Sequence, residues 1–243
     1  MSKDNLVALP LYKKVYEAVI ARITSGELGP GAMLPSEFDL AAELGVSQGT
    51  ARKALIELEQ TGVVVRHQGR GTFVSTTTNE TALFHFFKLK RVDGTTVLPE
   101  PFLENIKKRK VSAKELQHFG TSHKQEIANV FEIDRVRRID GKAVCKETSI
   151  IPTHLFPGLI ERELLPNALY PMYQKSYGIT IAKANENIRS VAATEQVAKI
   201  FEVKIGMPVL EVTRRAEDIQ GRIVELRISH FMTDDFQYEV SLK

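Results

Sequence analysis

The chain has 243 residues, of which 43% are hydrophobic and 26% are charged, and its formal net charge is +3. This composition is typical of a globular protein with one or two domains, and it excludes a wholly disordered or collagen-like chain. The single cysteine, Cys145, excludes an internal disulfide framework and any CxxC metal motif. No apolar run reaches the roughly 18 residues of a membrane-spanning helix, and the N-terminus lacks a signal-peptide core, so we expect a reduced, soluble, cytoplasmic protein with no membrane partner.

The charge is divided unevenly along the chain. Residues 1–76 carry eight Lys or Arg and eight Asp or Glu, whereas residues 77–243 carry 25 and 22. If the first part binds a nucleic acid, its positive charge must therefore be placed locally rather than spread over the whole domain.

Three helices followed by a hairpin are predicted over the first part of the chain. Apolar residues recur at helical spacing over 11–23, and Ser36 and Ser47 are predicted N-caps of a second and a third helix. A glycine follows each of these two helices and is predicted to end it. Two short strands then flank a turn at 67–71. Two helices joined by a short turn and followed by a basic hairpin form a winged helix-turn-helix pattern, which is typical of proteins that read the DNA major groove.

The polar residues of this predicted head are concentrated at the start of the third helix and in the hairpin. The free amides and the positive dipole end of a helix start favour phosphate, and Arg52 and Lys53 project away from the apolar stripe. The predicted DNA-binding residues are Ser36, Ser47, Gln48, Gly49, Thr50, Arg52, Lys53, Arg66, His67, Gln68, Gly69 and Arg70. From this pattern alone, a small helical domain whose hairpin packs on another domain or subunit is the alternative.

The run LPSEFDLAAELGVSQGTARKALIELEQTGVVVRHQGRGTFVS resembles the DNA-binding domain of the GntR superfamily of bacterial transcriptional regulators. The resemblance covers residues 10–75 and implies a transcription factor. Four separated pieces carry it in the family's order and spacing, at 34–37, 44–47, 49–52 and 68–74. This agreement disfavours the alternative of a hairpin that only packs.

Two positions depart from the family's pattern. Members often carry arginines where this chain has Phe38 and Gln48, and of that arginine set only Arg52 is present. Each missing guanidinium removes a possible guanine contact worth about 1–3 kcal/mol of discrimination. We therefore predict an operator that differs from the usual family site, with Gln48 reading adenine or contacting a phosphate. Phe38 is alternatively a packing residue under the wing.

The pattern changes after a polar, β-branched stretch at 76–82, which we interpret as an interdomain linker. Beyond it, strands are predicted at 83–90, 127–139, 142–151, 179–191, 209–218 and 222–232, and helices at 113–119, 168–176 and 194–201. This order predicts an α+β, two-domain protein in which the second domain has a mainly antiparallel sheet. The predicted division is a winged helix-turn-helix domain at 1–75, the linker at 76–82, and an effector-binding and dimerisation domain at 83–243.

Residues 80–243 resemble the UTRA effector-binding domain, which accompanies this head in the HutC-type branch. The pieces that carry the resemblance lie at 135–138, 140–141, 151–152, 169–170, 177–179, 192–194 and 206–210, with Glu147 and Glu225. The resemblance implies a chorismate-lyase-like α/β arrangement and a pocket for a small molecule.

The loop at 140–141 decides which side chains share a face of the hairpin. If the loop has two residues, Arg138 pairs with Ala143, and Glu147 lies on the side opposite the arginines of the first strand. If it has three residues, 139–141, with a glycine bulge, Glu147 lies on the arginine side.

We predict the three-residue loop. It pairs Arg135 with Cys145 and keeps Lys146 away from Arg135. It also builds a cluster of Arg135, Arg137 and Glu147, which suits an anion that carries a hydroxyl or an amine.

Alternation on the last long strand adds polar residues to the same pocket. The predicted effector-binding residues are Arg135, Arg137, Glu147, Ala168, Tyr170, Glu225, Ser229 and Phe231. A solvated sheet face with surface ion pairs is the alternative for these charges. Relatives built for sugar phosphates tend to carry hydroxyl side chains where this chain has Ala168 and Phe231, so we predict a small carboxylate or another compact anion.

These features together predict a ligand-responsive repressor that binds a palindromic operator in double-stranded DNA as a homodimer, with no cofactor and no metal site. A lyase-like enzyme is the alternative, because the second domain resembles a lyase fold, but no nucleophile–base pair is visible. A constitutive architectural DNA-binding protein is a third hypothesis. The basic run at 107–110 is either a solvated patch or an auxiliary DNA contact. A redox role for Cys145 requires that the pKa of its thiol be lowered.

Overall fold

The computed structural model of the protein describes residues 10–77, 87–95, 97–120, 126–162 and 164–240. These ranges form an N-terminal helical head and a C-terminal domain built on one large antiparallel sheet, so the predicted α+β, two-domain class is confirmed. The predicted domain boundaries stay a prediction, because the linker and the first strand of the second domain lie partly outside the described residues.

The head consists of three helices and a two-stranded wing. They are α1 (Leu11–Thr24), α2 (Glu37–Leu44), α3 (Gln48–Gln60), β1 (Val64–His67) and β2 (Gly71–Val74). Ser36 and Ser47 each accept a hydrogen bond from the amide three residues on, which confirms both predicted N-caps. Gly45 ends α2 in the left-handed conformation, with φ +64°, where a side chain is costly.

The apolar stripes of the helices and the inner side of the wing form the core of the head. Leu40 of α2 and Leu55 and Leu58 of α3 are buried there. Residues 31–34 extend the wing, because the amide of Leu34 donates to the carbonyl of Thr72 at 2.8 Å. Phe38 is not part of this core: its side chain is 70% exposed, so the alternative that it packs under the wing is wrong.

Within the described residues, the C-terminal domain contains eight strands and three short α-helices. The strands are β3 (Leu89–Arg91), β4 (Glu100–Lys110), β5 (Asn129–Ile139), β6 (Lys142–Pro152), β7 (Ile181–Ala192), β8 (Pro208–Asp218), β9 (Ile223–Phe231) and β10 (Phe236–Tyr238). The helices are α4 (Ala113–Leu116), α5 (Leu169–Tyr177) and α6 (Glu195–Phe201). Six strands form one antiparallel sheet in the order β4-β5-β6-β9-β8-β7, and β3 pairs with β10 separately.

The basic run at 107–110 lies on β4, an edge strand that the sequence pattern did not indicate. Its charges hide the alternation that would have predicted a strand. Lys107 and Arg109 both pair with Glu132 on the neighbouring strand β5. Charged residues on an edge strand also prevent it from pairing with another chain, so this run has a structural role in the sheet.

The turn between β5 and β6 contains two residues, not three, so the predicted loop is wrong. Asp140 and Gly141 both have positive φ, +51° and +76°, as a tight two-residue hairpin turn requires. Arg138 pairs with Ala143 next to this turn.

A β-bulge in β6 then places Glu147 on the face of the β5 arginines, as predicted. Val144 has no opposite residue, so Arg137 pairs with Cys145 and Arg135 pairs with Glu147. The bulge shifts the register by one residue, and a one-residue shift moves a whole set of side chains to the other face. The predicted cluster of two arginines and Glu147 therefore forms, although by a different route.

Both faces of the sheet are covered by other elements. Tyr173 of α5 packs on one face with Val224, and Phe119 packs on the other face with Leu226. A second bulge, between Ala216 and Glu217 of β8 and their partners on β9, moves Val224 to the α5 face. The alternation rule, which puts Val224 and Leu226 on the same face, is therefore wrong at this position.

The head packs directly on the C-terminal domain. Ile219, in the turn between β8 and β9, is buried in the apolar cluster of the head, and Ala182 of β7 packs against the same cluster. In the described part of the chain, no helix is long and apolar enough to cross a membrane.

Candidate DNA-binding surface and effector pocket

The start of α3 presents most of the predicted DNA contacts to solvent. Ser47, Gln48 and Gly49 are exposed, and the Ser47 hydroxyl caps the helix by accepting from the Thr50 amide at 3.1 Å. Lys53 is also exposed, and its ammonium group lies 4.1 Å from the centre of the Tyr12 ring. This helix start can therefore offer backbone amides and side-chain donors to a DNA backbone.

The tip of the wing is a tight turn with an exposed basic surface. The Arg70 amide donates to the His67 carbonyl at 2.9 Å, and Gly69 has a φ of +72° that the turn requires. His67, Gln68 and Arg70 are exposed, and the His67 ring packs edge-on against Phe73. This geometry brings the tip residues into one small surface.

Two arginines of the head contact the same carboxylate. Arg52 donates through Nε to Glu37 Oε2 at 2.8 Å, and Arg66 Nη2 lies 3.4 Å from Glu37 Oε1. The other side of Arg66 faces Glu59, with Nε 3.3 Å from Oε2. Arg66 is thus half-buried between two acids, whereas Arg52 remains largely exposed, and a DNA contact by Arg66 stays a prediction.

In the C-terminal domain, the arginines of β5 surround the carboxylate of Glu147. Arg137 donates through Nε and Nη2 to the two Glu147 oxygens, at 3.1 Å each, and Arg135 pairs with the same carboxylate. Asn167, before α5, accepts from both arginines through its carbonyl oxygen at 3.1 Å. All three charged residues are buried, so the alternative of a solvated sheet face is wrong here.

A second buried cluster lies beside the first, around Glu225. Arg227 Nη2 donates to the Glu225 oxygens at 2.8 and 3.1 Å, and Tyr170 donates its hydroxyl to Glu225 at 2.8 Å. Arg227 also donates through Nε to the Ser149 hydroxyl at 3.1 Å. The two clusters meet where Arg227 Nη1 lies 3.8 Å from Glu147 Oε2.

A third charged group lines the pocket and was absent from the sequence prediction. Arg214 of β8 donates through Nε to Glu186 of β7 at 2.6 Å, and the Tyr238 hydroxyl donates to the same carboxylate at 2.6 Å. Arg214 is buried and lies directly opposite Arg227 on the neighbouring strand. Val212 and Arg214 lie two residues apart on β8 and therefore share a face, a pattern that could have placed Arg214 in the pocket.

The three groups surround one pocket at the start of α5. Its lining consists of Phe87, Arg137, Glu147, Ala168, Leu169, Tyr170, Glu186, Val212, Arg214, Arg227, Ser229, Phe231 and Tyr238. The cleft has a volume of about 490 Å³, which includes the part that is open to solvent. The predicted residues Ala168, Ser229 and Phe231 are thus brought together, while Arg135 and Glu225 lie behind the lining.

Electrostatics keep the acids of these clusters ionised. Burial raises the pKa of Glu147, but Arg135, Arg137 and Arg227 outweigh it and hold that pKa well below its usual range. Burial also raises the pKa of Glu225, but the charge of Arg227 outweighs it, so this pKa is lowered as well. Burial and the nearby Glu225 charge raise the pKa of Tyr170 to about 12, so this hydroxyl stays a donor.

Cys145 lies on the arginine face but is fully buried. Burial is the main reason that the pKa of its thiol is raised. A raised pKa is opposite to what a reactive thiol needs, which argues against the redox alternative. Among the residues that the structure describes, no group of three or more His, Cys, Asp or Glu side chains could hold a metal ion.

The far end of α5 contacts the segment that follows the wing. Gln174 accepts a hydrogen bond from the Thr77 amide at 3.1 Å and donates to the Ser75 carbonyl at 3.1 Å. Its amide nitrogen also lies 3.2 Å from the Thr180 hydroxyl, and its side chain is buried. The helix whose start lines the pocket therefore holds the chain that leads out of the head.

Comparison with known families agrees with both parts of this architecture. Residues 103–237 match the UTRA domain, and residues 11–74 match the family described as bacterial regulatory proteins, gntR family. The winged head and the pocket-bearing sheet domain thus each correspond to a known module.

Several curated proteins are similar to this chain over nearly its whole length. The HTH-type transcriptional regulator SmoD of Agrobacterium fabrum is 29% identical over 92% of this chain and 92% of its own. The mannosyl-D-glycerate transport/metabolism system repressor MngR of Escherichia coli is 27% identical over 94% of each. The E. coli regulator GgaR is 31% identical over 96% of this chain and 90% of its own. The names of these relatives describe transcriptional regulators or repressors.

Solved structures share the fold. The ligand-binding domain of a GntR-family regulator from Bordetella bronchiseptica has a TM-score of 0.56 and 21% identity, and covers 64% of this chain and 96% of that chain. PhnF from Mycobacterium smegmatis has a TM-score of 0.54 and 22% identity, and covers 94% and 99%. From the two domain matches and the relatives that share both domains, the chain belongs to the GntR family of bacterial transcriptional regulators, with the HutC-type arrangement of a winged helix-turn-helix head and a UTRA domain.

Proposed function

We propose that this regulator represses transcription by binding a palindromic operator as a homodimer, and that a small anion in the pocket at the start of α5 controls it. The observation that carries the proposal is the set of three buried arginines, Arg137, Arg214 and Arg227, that line this pocket. Buried guanidinium groups are costly unless they are paired, and each is available to bind an oxyanion in place of a carboxylate partner.

Charge and hydrogen-bonding groups favour a hydroxylated anion. Two carboxylates, Glu147 and Glu186, line the pocket beside the three arginines, so the lining has an excess of positive charge. The carboxylates can accept hydrogen bonds from hydroxyl or amine groups of a ligand. The N-cap residue of α5, Ala168, has no side-chain cap, which leaves the first amides of that helix available for an anion.

The lining favours a carboxylate over a sugar phosphate. Ala168 and Phe231 bring no hydroxyl donors at the two positions where relatives built for sugar phosphates tend to carry them. The name of the relative MngR contains mannosyl-D-glycerate, which is a sugar joined to a hydroxycarboxylate. We therefore propose a carboxylate-bearing metabolite as the effector class.

Binding of such a ligand requires a change at the start of α5. The arginines that line the pocket are paired with Glu147, Glu186 and Glu225, so a ligand has to replace some of these contacts. Tyr170 at the start of α5 donates to Glu225 among these contacts, and Gln174 at the other end of α5 holds Ser75 and Thr77. A shift of α5 therefore changes the tether of the head, and the ligand favours the arrangement that it binds more tightly.

Calorimetric titration of the full chain with a panel of organic acids and sugar phosphates tests the effector class. We expect an organic acid to bind, and the substitution Arg214→Lys to weaken that binding at least tenfold, because lysine cannot replace a planar guanidinium fork. The matched control is Arg189→Lys, whose side chain lies outside the pocket on the solvent side of β7. Tight binding of only a sugar phosphate contradicts the proposed class.

Selection of duplexes from a random pool tests the operator. We expect two half-sites related by a two-fold axis, and a mass in sedimentation that corresponds to two chains per duplex. Addition of the ligand found by calorimetry is expected to change operator affinity. An unchanged affinity at saturating ligand supports instead an architectural DNA-binding role.

The same selection tests the departure at Phe38 and Gln48. The wild type is expected to select an operator without the guanines that the missing arginines read. The double variant Phe38→Arg, Gln48→Arg is expected to gain guanine preference, with about 5- to 150-fold discrimination at each new contact. A wild-type selection that returns the common family site contradicts this expectation.

A further inference from the structure

Glu37 is an acidic residue in the surface that we propose for DNA binding. A carboxylate near phosphates is electrostatically unfavourable, so its presence in the first turn of α2 requires an explanation. Its side chain is only 19% exposed, and it contacts Arg52 of α3 and Arg66 of β1. Glu37 therefore connects α2 with both α3 and the wing.

The contact with Arg52 is made by one edge of the guanidinium group. Arg52 donates through Nε at 2.8 Å, and the side chain nevertheless stays 57% exposed. A guanidinium group carries five donors in a planar fork, and a guanine base takes two of them in a bidentate contact. Glu37 thus leaves the terminal amino groups of Arg52 available for a base while it restricts their direction.

The contact with Arg66 holds the carboxylate from the opposite side. Arg66 Nη2 lies 3.4 Å from Glu37 Oε1, and Arg66 Nε lies 3.3 Å from Glu59 Oε2. Two positive groups therefore offset the negative charge of Glu37, and Glu59 anchors Arg66 in turn. Since an arginine side chain has many rotamers in solution, a preformed direction lowers the entropic cost of ordering it on DNA.

We propose that Glu37 is a positioning residue for DNA recognition, which orients Arg52 for a bidentate contact with a guanine in each half-site. The proposal rests on the proposed operator contact by Arg52. It predicts two opposite effects of removing the charge: affinity for random DNA rises, because a negative charge is lost, while preference for the guanine falls, because Arg52 is no longer oriented.

The experiment compares full-length variants on the duplex that the wild type selects and on a random-sequence duplex. Arg52→Ala first identifies the base whose preference depends on this arginine. Glu37→Gln is then expected to reduce the preference for that base about tenfold, with little effect at other operator positions. The effect is expected to vanish when Arg52 is already alanine, as a double-mutant cycle requires. Glu43→Gln is the matched control. It also removes one negative charge from α2, but Glu43 pairs with Arg22 of α1 and not with Arg52.

Thermal unfolding of each variant separates positioning from stability. A uniform loss of affinity that follows a lower melting temperature, or a uniform gain in affinity with base preference intact, overturns the proposal. So does a finding that Arg52→Ala leaves every base preference unchanged. If the wild type selects no sequence at all, the operator proposal itself fails, which is a different and recognisable outcome.

Discussion

Arg137 and Glu147 form a buried, two-pronged ion pair across neighbouring strands. Nε and Nη2 of the arginine each lie 3.1 Å from a different oxygen of the carboxylate. Arg135 and Arg227 also face this carboxylate, so a single acid compensates several guanidinium groups. The stability of the C-terminal domain and the charge of its pocket therefore depend on the same residue.

Substitution of this acid is expected to be strongly destabilising. Glu147→Gln leaves buried arginines without compensation, and we expect the free energy of unfolding to fall by about 3–5 kcal/mol. Urea unfolding measures this change. The matched control is Glu239→Gln, which breaks the more exposed pair with Lys90 and is expected to cost less than about 1 kcal/mol. Similar losses for both variants contradict the central role of Glu147.

The same cluster predicts how stability depends on pH. The pKa values of Glu147 and Glu225 are lowered in the folded protein, so protons bind these groups more readily in the unfolded chain. Their contribution is complete above the unfolded pKa of about 4.3 and is lost as the pH falls toward the folded values. We expect the free energy of unfolding to decrease below about pH 4.3, and Glu147→Gln to make this decrease shallower. Parallel curves for the two proteins argue against this assignment.

Gln174 is expected to couple the pocket to the head. Gln174→Leu keeps the buried volume but removes the hydrogen bonds to Ser75 and Thr77, each worth about 1 kcal/mol. We expect faster amide hydrogen exchange at Thr77 and a loss of the ligand effect on operator affinity, while ligand binding itself persists. Gln117→Leu, at an exposed position of the same domain, is the control. An unchanged ligand effect excludes this route.

Cys145 is expected to be inert in the native protein. It is fully buried, and burial raises the pKa of its thiol, so little reactive thiolate forms at neutral pH. We expect no labelling by iodoacetamide under native conditions and complete labelling in denaturant, as measured by mass spectrometry. Rapid native labelling restores the redox hypothesis.

Local chemistry in the sequence was enough to predict the caps and turns of this protein. The N-caps Ser36 and Ser47 and the turn at Gly69 act over a few residues, so their pattern was sufficient to predict the winged head. The alternation on the long strands likewise predicted most strands of the sheet, because each strand alternates on its own, but it missed β4 and left open whether the charges were buried.

Which strands meet, and in what register, depends on the packing of the whole domain. The bulge at Val144 set the face of Glu147, and the pairing of β7 with β8 brought Glu186 to Arg214. The contacts of Glu37 with Arg52 and of Gln174 with the segment after the wing also join residues distant in the chain. Such contacts depend on the packing of whole elements, which no local pattern encodes, and they are the contacts on which base recognition and ligand response are proposed to depend.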